Sequence, residues 1–190
     1  MLDAALAKRL RLVGFDVDGV LTDGGVYIGR AGDHQVELKR FDIQDGLAVK
    51  LLRAAGMTVV LVSGRESEAT VIRAREIEVD EVVQDDGARK LSAFEGILGR
   101  RGVRFDECAF AGDDLADLPL LTRVALPIAV ANGVAEVKAV AGYVTGAPGG
   151  HGAVREIAEA ILKARGVWDE LMSRYFAERG DVAHGTGGSR

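Results

Sequence analysis

The sequence has little of what marks secreted, membrane-spanning or nucleic-acid-binding proteins. It has one cysteine, Cys108, in 190 residues, which excludes an internal disulfide framework and favours a reducing compartment. No apolar run approaches the length of a membrane-spanning helix, and the first ten residues contain no apolar signal core. The net charge is −5 and the basic residues are not clustered, which argues against nucleic acid or an anionic membrane as the main partner. We therefore expect a cytoplasmic protein.

The length and the pattern of apolar residues predict one α/β domain. The chain is long enough for one substantial core and too short for two comfortable ones. We predict a single domain over residues 1–177 and a flexible tail over 178–190, where the composition turns polar and rich in glycine. Apolar strand-like runs alternate with helical patterns, which indicates a mainly parallel sheet.

Three local predictions concern the hairpin and the boundaries of two helices. Two β-like runs flank the turn at residues 30–33, so we expect a β-hairpin that packs on the domain or on another subunit. Asp45 and Gly46 are predicted to open a helix that Gly56 ends. Residues 167–176 are predicted to extend the closing helix.

Two acidic residues follow the first predicted strand, at the point where its apolar run stops. The run is 12–15, and Asp16 and Asp18 come next. Ligands bind at the carboxyl ends of parallel strands, so these carboxylates are placed for chemistry. Taken alone, the pattern leaves open a plain turn, a calcium loop or the acidic pair of a glycosyltransferase. An EF-hand calcium loop is disfavoured because Val20 and Leu21 stand among the required oxygen ligands.

Polar residues also follow two later predicted strands, Ser63 with Gly64 after one and Asp113 with Asp114 after the other. Lys90 stands at the start of a predicted helix between them. Right-handed crossovers return each strand to the same direction, so we expect these groups to meet at one sheet edge. Carboxylates from two strands form a hard oxygen site that suits Mg²⁺, and the hydroxyl, amide and ammonium groups are donors suited to a phosphoryl group. One carboxylate can then act as a nucleophile and the other as an acid and base.

These motifs, in this order, resemble the four motifs of the haloacid dehalogenase superfamily of phosphatases: FDVDGVLTD, VSGR, Lys90 and AGDDLAD. From Arg11 to Arg165 the chain is also similar to the 3-deoxy-D-manno-octulosonate 8-phosphate phosphatases, on the hairpin, the FDIQDG segment and PGGHGAVREIAEAIL. The resemblance implies a Rossmann-like, three-layer fold. It also implies a Mg²⁺-dependent phosphomonoesterase that acts through an aspartyl-phosphate on a small metabolite, foremost a sugar acid phosphate.

The resemblance implies a role for each residue of the motifs. Asp16 is implied to be the nucleophile and Asp18 the acid and base. The implied ligands of Mg²⁺ are two carboxylates and one backbone carbonyl, from Asp16, Asp113 and Asp18 respectively. The implied phosphoryl donors are Ser63, Gly64 and Lys90. The implied supporting acids around the metal are Asp114 and Asp117.

The spacing of the motifs leaves no room for a cap domain over the site. Gly25 and Ser63 are separated by 37 residues, which the hairpin and one helix fill, and 24 residues lie between Arg65 and Lys90. The site is therefore predicted to be open. Relatives close such a site with a neighbouring subunit in a homotetramer formed through the hairpin, and the resemblance implies the same assembly here.

Three residues are candidates for contacts to the rest of the substrate: Gln44, Arg65 and His151. Gln44 and His151 replace arginines that are usual in the octulosonate-phosphate phosphatases, and loss of a guanidinium weakens bidentate binding of a carboxylate. A protonated His151 can pair with a carboxylate, and a loop histidine without a substrate role is the alternative.

Other functions stay open beside the leading hypothesis. One is an accessory subunit of a larger assembly, of the phenylphosphate carboxylase type. Another is a phosphatase of a different nonulosonate or sugar phosphate. A phosphomutase is disfavoured because an open site does not shield a phosphoenzyme from water.

Overall fold

A parallel sheet of six strands forms the centre of the molecule. The computed structural model describes residues 2–87 and 89–180. Along the chain the elements are α1 (Ala4–Arg9), β1 (Leu12–Phe15), β2 (Tyr27–Ala31), β3 (His34–Leu38), α2 (Ile43–Ala54), β4 (Thr58–Ser63), α3 (Glu68–Glu76), β5 (Glu81–Gln84), α4 (Lys90–Arg101), β6 (Cys108–Gly112), α5 (Leu118–Leu121), β7 (Leu126–Ala129), α6 (Ala135–Val140), β8 (Tyr143–Val144), α7 (Ala153–Arg165) and α8 (Trp168–Glu178). The spatial order of the sheet is β5–β4–β1–β6–β7–β8, and all of its pairs are parallel.

Helices cover both faces of this sheet and form an apolar core on each. The side chains along a strand alternate between these two cores. In β1, Val13 and Phe15 belong to one core, with α1, α2, α3, α7 and α8. Leu12 belongs to the other core, with α4, α5 and α6. Burial on both faces explains why the strands are continuous apolar runs rather than alternating ones. The predicted three-layer α/β fold is confirmed.

The hairpin of β2 and β3 lies apart from the sheet and its residues are almost all exposed. Its register pairs Tyr27 with Leu38 and Ala31 with His34. Packing of the hairpin on the body of its own domain, one of the two expected arrangements, is thus largely missing: Tyr27 is 63% exposed and Leu38 is 65% exposed. The described residues between the motifs form this hairpin, α2, β4, α3 and β5, which leaves no segment there for a cap.

Two helix boundaries differ from the prediction. Helix α2 begins at Ile43 and is capped by Asp42, whose carboxylate accepts from the amide of Gln44, so the predicted start at Asp45 was wrong. Asp45 lies in the first turn of α2, fully buried, and accepts instead from the amide of Arg155 at 2.8 Å. Its acceptor role at the start of α7 could not be read from local spacing.

The closing helix is likewise two helices rather than one. Gly166 ends α7 in the left-handed conformation, with φ of 77°, and its amide bonds back to the last turn of the helix. Helix α8 then runs to Glu178, one residue past the predicted domain boundary. Residues 181–190 of the predicted tail lie outside the described part. Within the described ranges, no helix has the length and apolarity that crossing a membrane requires.

Candidate active site

Three adjacent strands place their carboxyl ends side by side. β1 lies between β4 and β6, so Asp16, Ser63 and Asp113 emerge at one edge of the sheet. The amide of Asp16 donates to Ala111 at 2.9 Å, which prolongs the strand pairing and fixes the backbone at the first carboxylate. The structure thus brings these three residues to one edge of the sheet, as their places after predicted parallel strands indicated.

A wide turn over Val17–Leu21 follows Asp16 and needs a glycine at its centre. Gly19 has φ of 92°, and a Cβ there would lie 2.0 Å from Oδ2 of Asp113. The hydroxyl of Thr22 accepts from the amide of Gly19 at 3.3 Å and donates to the carbonyl of Val17 at 3.2 Å. The turn is therefore closed from within and leaves space for Asp113 directly beside it.

Asp16, Asp113 and Asp117 form a cluster in which one carboxylate oxygen of each lies within 4.8 Å of the others. Lys90, at the start of α4, places its Nζ 2.8 Å from Oδ1 of Asp16 and 2.7 Å from Oδ1 of Asp117. The other oxygen of Asp117 accepts from the backbone amide of Asp113 at 3.0 Å. Asp117 is thus engaged through both oxygens, whereas Asp16 and Asp113 keep lone pairs for a ligand.

The cluster holds more negative charge than Lys90 offsets. Burial raises the pKa of Asp16 well above its usual range and Asp117 adds to the rise, while Lys90 lowers it. Burial raises the pKa of Asp113 to about 6, again with a contribution from Asp117. Burial alone would lower the pKa of Lys90, but the neighbouring carboxylates raise it, so Lys90 is charged. A cation at this position would favour the ionised carboxylates.

The donor set fits a hard divalent cation. Oδ1 of Asp113 is buried and receives no hydrogen bond from any described residue, so it is an orphaned acceptor in the cluster. Carboxylate oxygens are the ligands that Mg²⁺ prefers. Asp114, which the resemblance implied to be a supporting acid around the metal, is exposed, and its carboxylate accepts from the amide of Leu115 at 2.7 Å.

The predicted phosphoryl donors lie around the same edge. Ser63 is 1% exposed, and its hydroxyl donates to the carbonyl of Arg65 at 3.0 Å and accepts from the amide of Arg65 at 3.1 Å. Gly64 is half-buried within this tight loop. Lys90 is the donor in direct contact with Asp16, so it points into the space where a phosphoryl group bound to Asp16 would lie.

Asp18 contacts a residue that sequence reasoning missed. Nζ of Lys39, just after the hairpin, lies 2.7 and 3.0 Å from the two carboxylate oxygens of Asp18, and the Lys39 side chain is 0% exposed. Glu37 lies 3.6 Å from the same ammonium and accepts from the hydroxyl of Ser67 at 2.6 Å. The hydrogen bond from Ser67 lowers the pKa of Glu37, and Lys39 adds to the effect. This network connects the hairpin to Asp18.

The three predicted substrate residues fall into different surroundings. Arg65 is paired with Glu37, 2.7 Å from its carboxylate, so its guanidinium is engaged by the hairpin. The Gln44 residue is exposed in the first turn of α2. His151 is exposed too, and its Nε2 lies 3.4 Å from Nη1 of Arg40, the second residue that the sequence did not single out. The only sequence signal for Arg40 is its place beside the FDIQDG segment.

Comparison with known proteins agrees with this architecture. Residues 78–157 match the family described as haloacid dehalogenase-like hydrolase. The 3-deoxy-D-manno-octulosonate 8-phosphate phosphatase of Escherichia coli K12 is 36% identical over 166 residues, which cover 87% of this chain and 86% of that protein.

Solved structures are similar over nearly the whole described chain. The 3-deoxy-D-manno-octulosonate 8-phosphate phosphatase of Moraxella catarrhalis, in complex with magnesium, phosphate and the sugar acid, matches with a TM-score of 0.84 and 35% identity, covering 90% of this chain and 97% of that one. The cobalt-bound deoxy-D-mannose-octulosonate 8-phosphate phosphatase of Haemophilus influenzae matches with a TM-score of 0.80 and 31% identity, covering 90% of this chain and 99% of that one. The resemblance inferred from the motifs is confirmed.

Proposed function

The chain belongs to the haloacid dehalogenase-like hydrolases, and we propose that it is a phosphatase of a small sugar acid phosphate such as 3-deoxy-D-manno-octulosonate 8-phosphate. The observation that supports this proposal most is the contact of the Lys90 ammonium with Asp16 inside a cluster of carboxylates, at the edge where Ser63 also emerges. A nucleophile, a cation site and phosphoryl donors there share one small space. The proposed substrate is taken from the names of the similar proteins, which are phosphatases of 3-deoxy-D-manno-octulosonate 8-phosphate.

In the first half-reaction Asp16 attacks phosphorus. A bond forms between its carboxylate oxygen and phosphorus while the bond to the leaving oxygen breaks, and Asp18 gives that oxygen a proton. In the second half-reaction Asp18 takes a proton from water, the water oxygen bonds to phosphorus, and the bond to Asp16 breaks. Lys39 holds the Asp18 carboxylate from the side of the hairpin through contacts of 2.7 and 3.0 Å.

The surrounding residues bind and orient the phosphoryl group. Lys90 and the loop of Ser63 and Gly64 donate to its oxygens, where negative charge must be stabilised during transfer. Asp16, Asp113 and the backbone carbonyl of Asp18 would hold Mg²⁺, which would supply positive charge to stabilise the phosphoryl group during transfer. Asp117 holds Lys90 and the amide of Asp113 in place, and Asp114 supports the loop that follows β6.

The proposed reaction is tested with purified protein, Mg²⁺ and a panel of phosphorylated metabolites that includes the octulosonate phosphate. We expect phosphate release that Asp16→Asn abolishes and Asp33→Asn, in the exposed turn of the hairpin, leaves intact. Turnover that survives Asp16→Asn would refute the mechanism. Absent turnover together with stable co-purification of a carboxylase would favour the accessory-subunit alternative.

We further propose a cytoplasmic homotetramer assembled through the hairpin. A two-stranded hairpin is marginal alone, and this one exposes Tyr27, Ile28 and Leu38 by 63%, 66% and 65%. The buried thiol of Cys108 suits a reducing compartment.

Light scattering tests the assembly. Ile28→Ser combined with Leu38→Ser should yield a smaller species, while Val140→Ser, at an exposed position on α6, should not. A wild-type monomer at all protein concentrations would contradict the tetramer.

A further inference from the structure

A guanidinium reaches the Gly149–Gly152 loop from a position that the family resemblance did not point to. Neither of the two substrate candidates nearest this loop and the FDIQDG segment, Gln44 and His151, has a guanidinium. In the structure, Nη1 of Arg40 donates to the carbonyl of Gly150 and lies 3.4 Å from Nε2 of His151. The chain thus has an arginine beside the same loop, supplied by the segment that follows the hairpin.

Arg40 lies where this segment crosses the catalytic turn. Lys39, the residue before it, contacts Asp18, and Phe41, the residue after it, pairs with Thr22 in an antiparallel bridge. Asp18 is the residue proposed to protonate the leaving oxygen. The part of the bound substrate beyond that oxygen therefore extends from the phosphoryl site past the segment that contains Arg40.

The loop on the far side of Arg40 is held against the same turn. The amide of Gly150 donates to Val20 at 3.1 Å, and a Cβ on Gly149 would lie 1.8 Å from the carbonyl oxygen of Gly19. Asn132 joins the two segments, because its side chain donates to Gly19 at 2.9 Å and accepts from Gly149 at 2.6 Å. Arg40 and His151 are consequently held at a fixed place on the rim of the site.

Most of the guanidinium is still available to a ligand. The Arg40 side chain is 45% exposed, and its Nη2 forms a long ion pair with Oδ2 of Asp42, at 3.9 Å and without a hydrogen bond. Within residues 2–87 and 89–180, the carbonyl of Gly150 is the one oxygen that accepts from it. An arginine has five N–H donors in a planar fork that matches a carboxylate.

We propose that Arg40, with His151 beside it, binds a carboxylate on the leaving group, so that the enzyme selects phosphomonoesters of acids over those of the matching alcohols. This inference rests on the proposed phosphatase function, and it assigns one residue of this chain to the choice of substrate.

The experiment compares pairs of phosphomonoesters in which a carboxylate of one is replaced by a primary alcohol in the other. Two such pairs are 6-phosphogluconate with glucitol 6-phosphate, and 3-phosphoglycerate with glycerol 3-phosphate. Arg40→Met should lower the ratio of kcat/KM for the acid to that for the alcohol by about tenfold or more, chiefly through KM, because it removes a charged bidentate contact. Arg53→Met, a control on α2 with the arginine paired to Asp80, should leave the ratio unchanged.

A rescue variant separates binding from a purely structural role. If Arg40 only tethers Gly150, Arg40→Met will lower activity on acid and alcohol alike and the ratio will not move, which overturns the inference. If Arg40 binds the acid, His151→Arg in the Arg40→Met background should recover most of the lost ratio, because it returns a guanidinium to the same loop.

Binding of a free sugar acid distinguishes failure of the inference from failure of the proposed function. Calorimetry with free octulosonate and the Asp16→Asn variant should show binding that is weakened about tenfold or more when Arg40→Met is added. If the wild-type protein releases no phosphate from any substrate and sugar-acid binding still depends on Arg40, the inference holds and the proposed function is refuted. Turnover with an unchanged ratio, or equal binding by both variants, would refute the inference and leave the function intact.

Discussion

Replacing Lys90 with methionine removes a buried ammonium from between two carboxylates and keeps most of the side-chain volume. Its Nζ lies 2.8 Å from Asp16 and 2.7 Å from Asp117, and the three side chains are 6%, 6% and 0% exposed. Because water hardly reaches these groups, the variant leaves the carboxylates without the cation that compensates for their burial.

The expected loss of stability is about 3–5 kcal/mol, the usual cost of removing one partner from a buried ion pair. For a domain of this size the melting temperature should fall by roughly 6–20 °C. Mg²⁺ should recover more of the melting temperature in the variant than in the wild type, because it replaces positive charge next to Asp16. Lower pH should also reduce the difference in melting temperature between wild type and variant. Loss of Lys90 raises the already elevated pKa of Asp16 further, and protonation of Asp16 then removes the uncompensated charge.

Differential scanning calorimetry with and without Mg²⁺ measures these effects, and Lys50→Met is the matched control. Lys50 pairs with Glu78 at 3.1 Å, but the two side chains are 46% and 62% exposed, so the control should cost less than about 1 kcal/mol. Lys90→Met should also lower kcat by about 100-fold or more, because a phosphoryl donor is lost. Equal melting temperatures for the two variants would refute the assignment of Lys90 to a charged cluster.

Three further predictions concern other parts of the site. Gly19→Ala should cost about 1–3 kcal/mol through its φ of 92° and should also abolish Mg²⁺-dependent turnover, since its Cβ would lie 2.0 Å from Oδ2 of Asp113. Burial raises the pKa of Asp45 from 3.8 to about 6, so the folded protein binds this proton more tightly than the unfolded chain does. The unfolding free energy of the wild type relative to Asp45→Asn should therefore rise by about 2 kcal/mol between about pH 7 and about pH 4.5, measured by urea titration. Lys39→Met should slow hydrolysis of alkyl phosphates about tenfold more than that of p-nitrophenyl phosphate, because nitrophenolate leaves without a proton from Asp18.

Each of these has a result that contradicts it. Gly32→Ala is the control for backbone strain alone, because Gly32 has φ of 63° and no atom lies within 4 Å of the added Cβ. Equal activity of Gly19→Ala and Gly32→Ala would show that the contact of the Gly19 Cβ with Asp113 does not impair turnover. A stability difference for Asp45→Asn that is flat with pH would show that the carboxyl titrates alike in both states. Equal slowing of alkyl and aryl phosphates by Lys39→Met would assign Lys39 to folding rather than to the positioning of Asp18.

The sequence was informative where function follows from strand order. An apolar run that stops at an acid identifies the carboxyl end of a strand, and parallel pairing then brings such ends together without any knowledge of side-chain contacts. This is how the positions of Asp16, Ser63 and Asp113 could be predicted. Lys90 was predicted from its order between motifs, and its double contact with Asp16 and Asp117 is what the structure adds.

The contacts that could not be predicted depend on how irregular segments cross one another. Lys39 and Arg40 follow a hairpin, and no periodicity fixes the direction in which a chain leaves a hairpin, so their contacts with Asp18 and Gly150 had no sequence signature. Asp42 and Asp45 are both suitable helix caps, and only the packing of α7 against α2 decides that Asp45 caps the other helix.

Acid-quenched mass spectrometry tests the central claim most directly. The protein is mixed with Mg²⁺ and the octulosonate phosphate, quenched during turnover and digested. Asp18→Asn is included because loss of the base should prolong the intermediate. We expect one phosphoryl group on Asp16, absent from Asp16→Asn. Phosphate release without a phosphorylated Asp16, or with the phosphoryl group on another residue, would contradict the account.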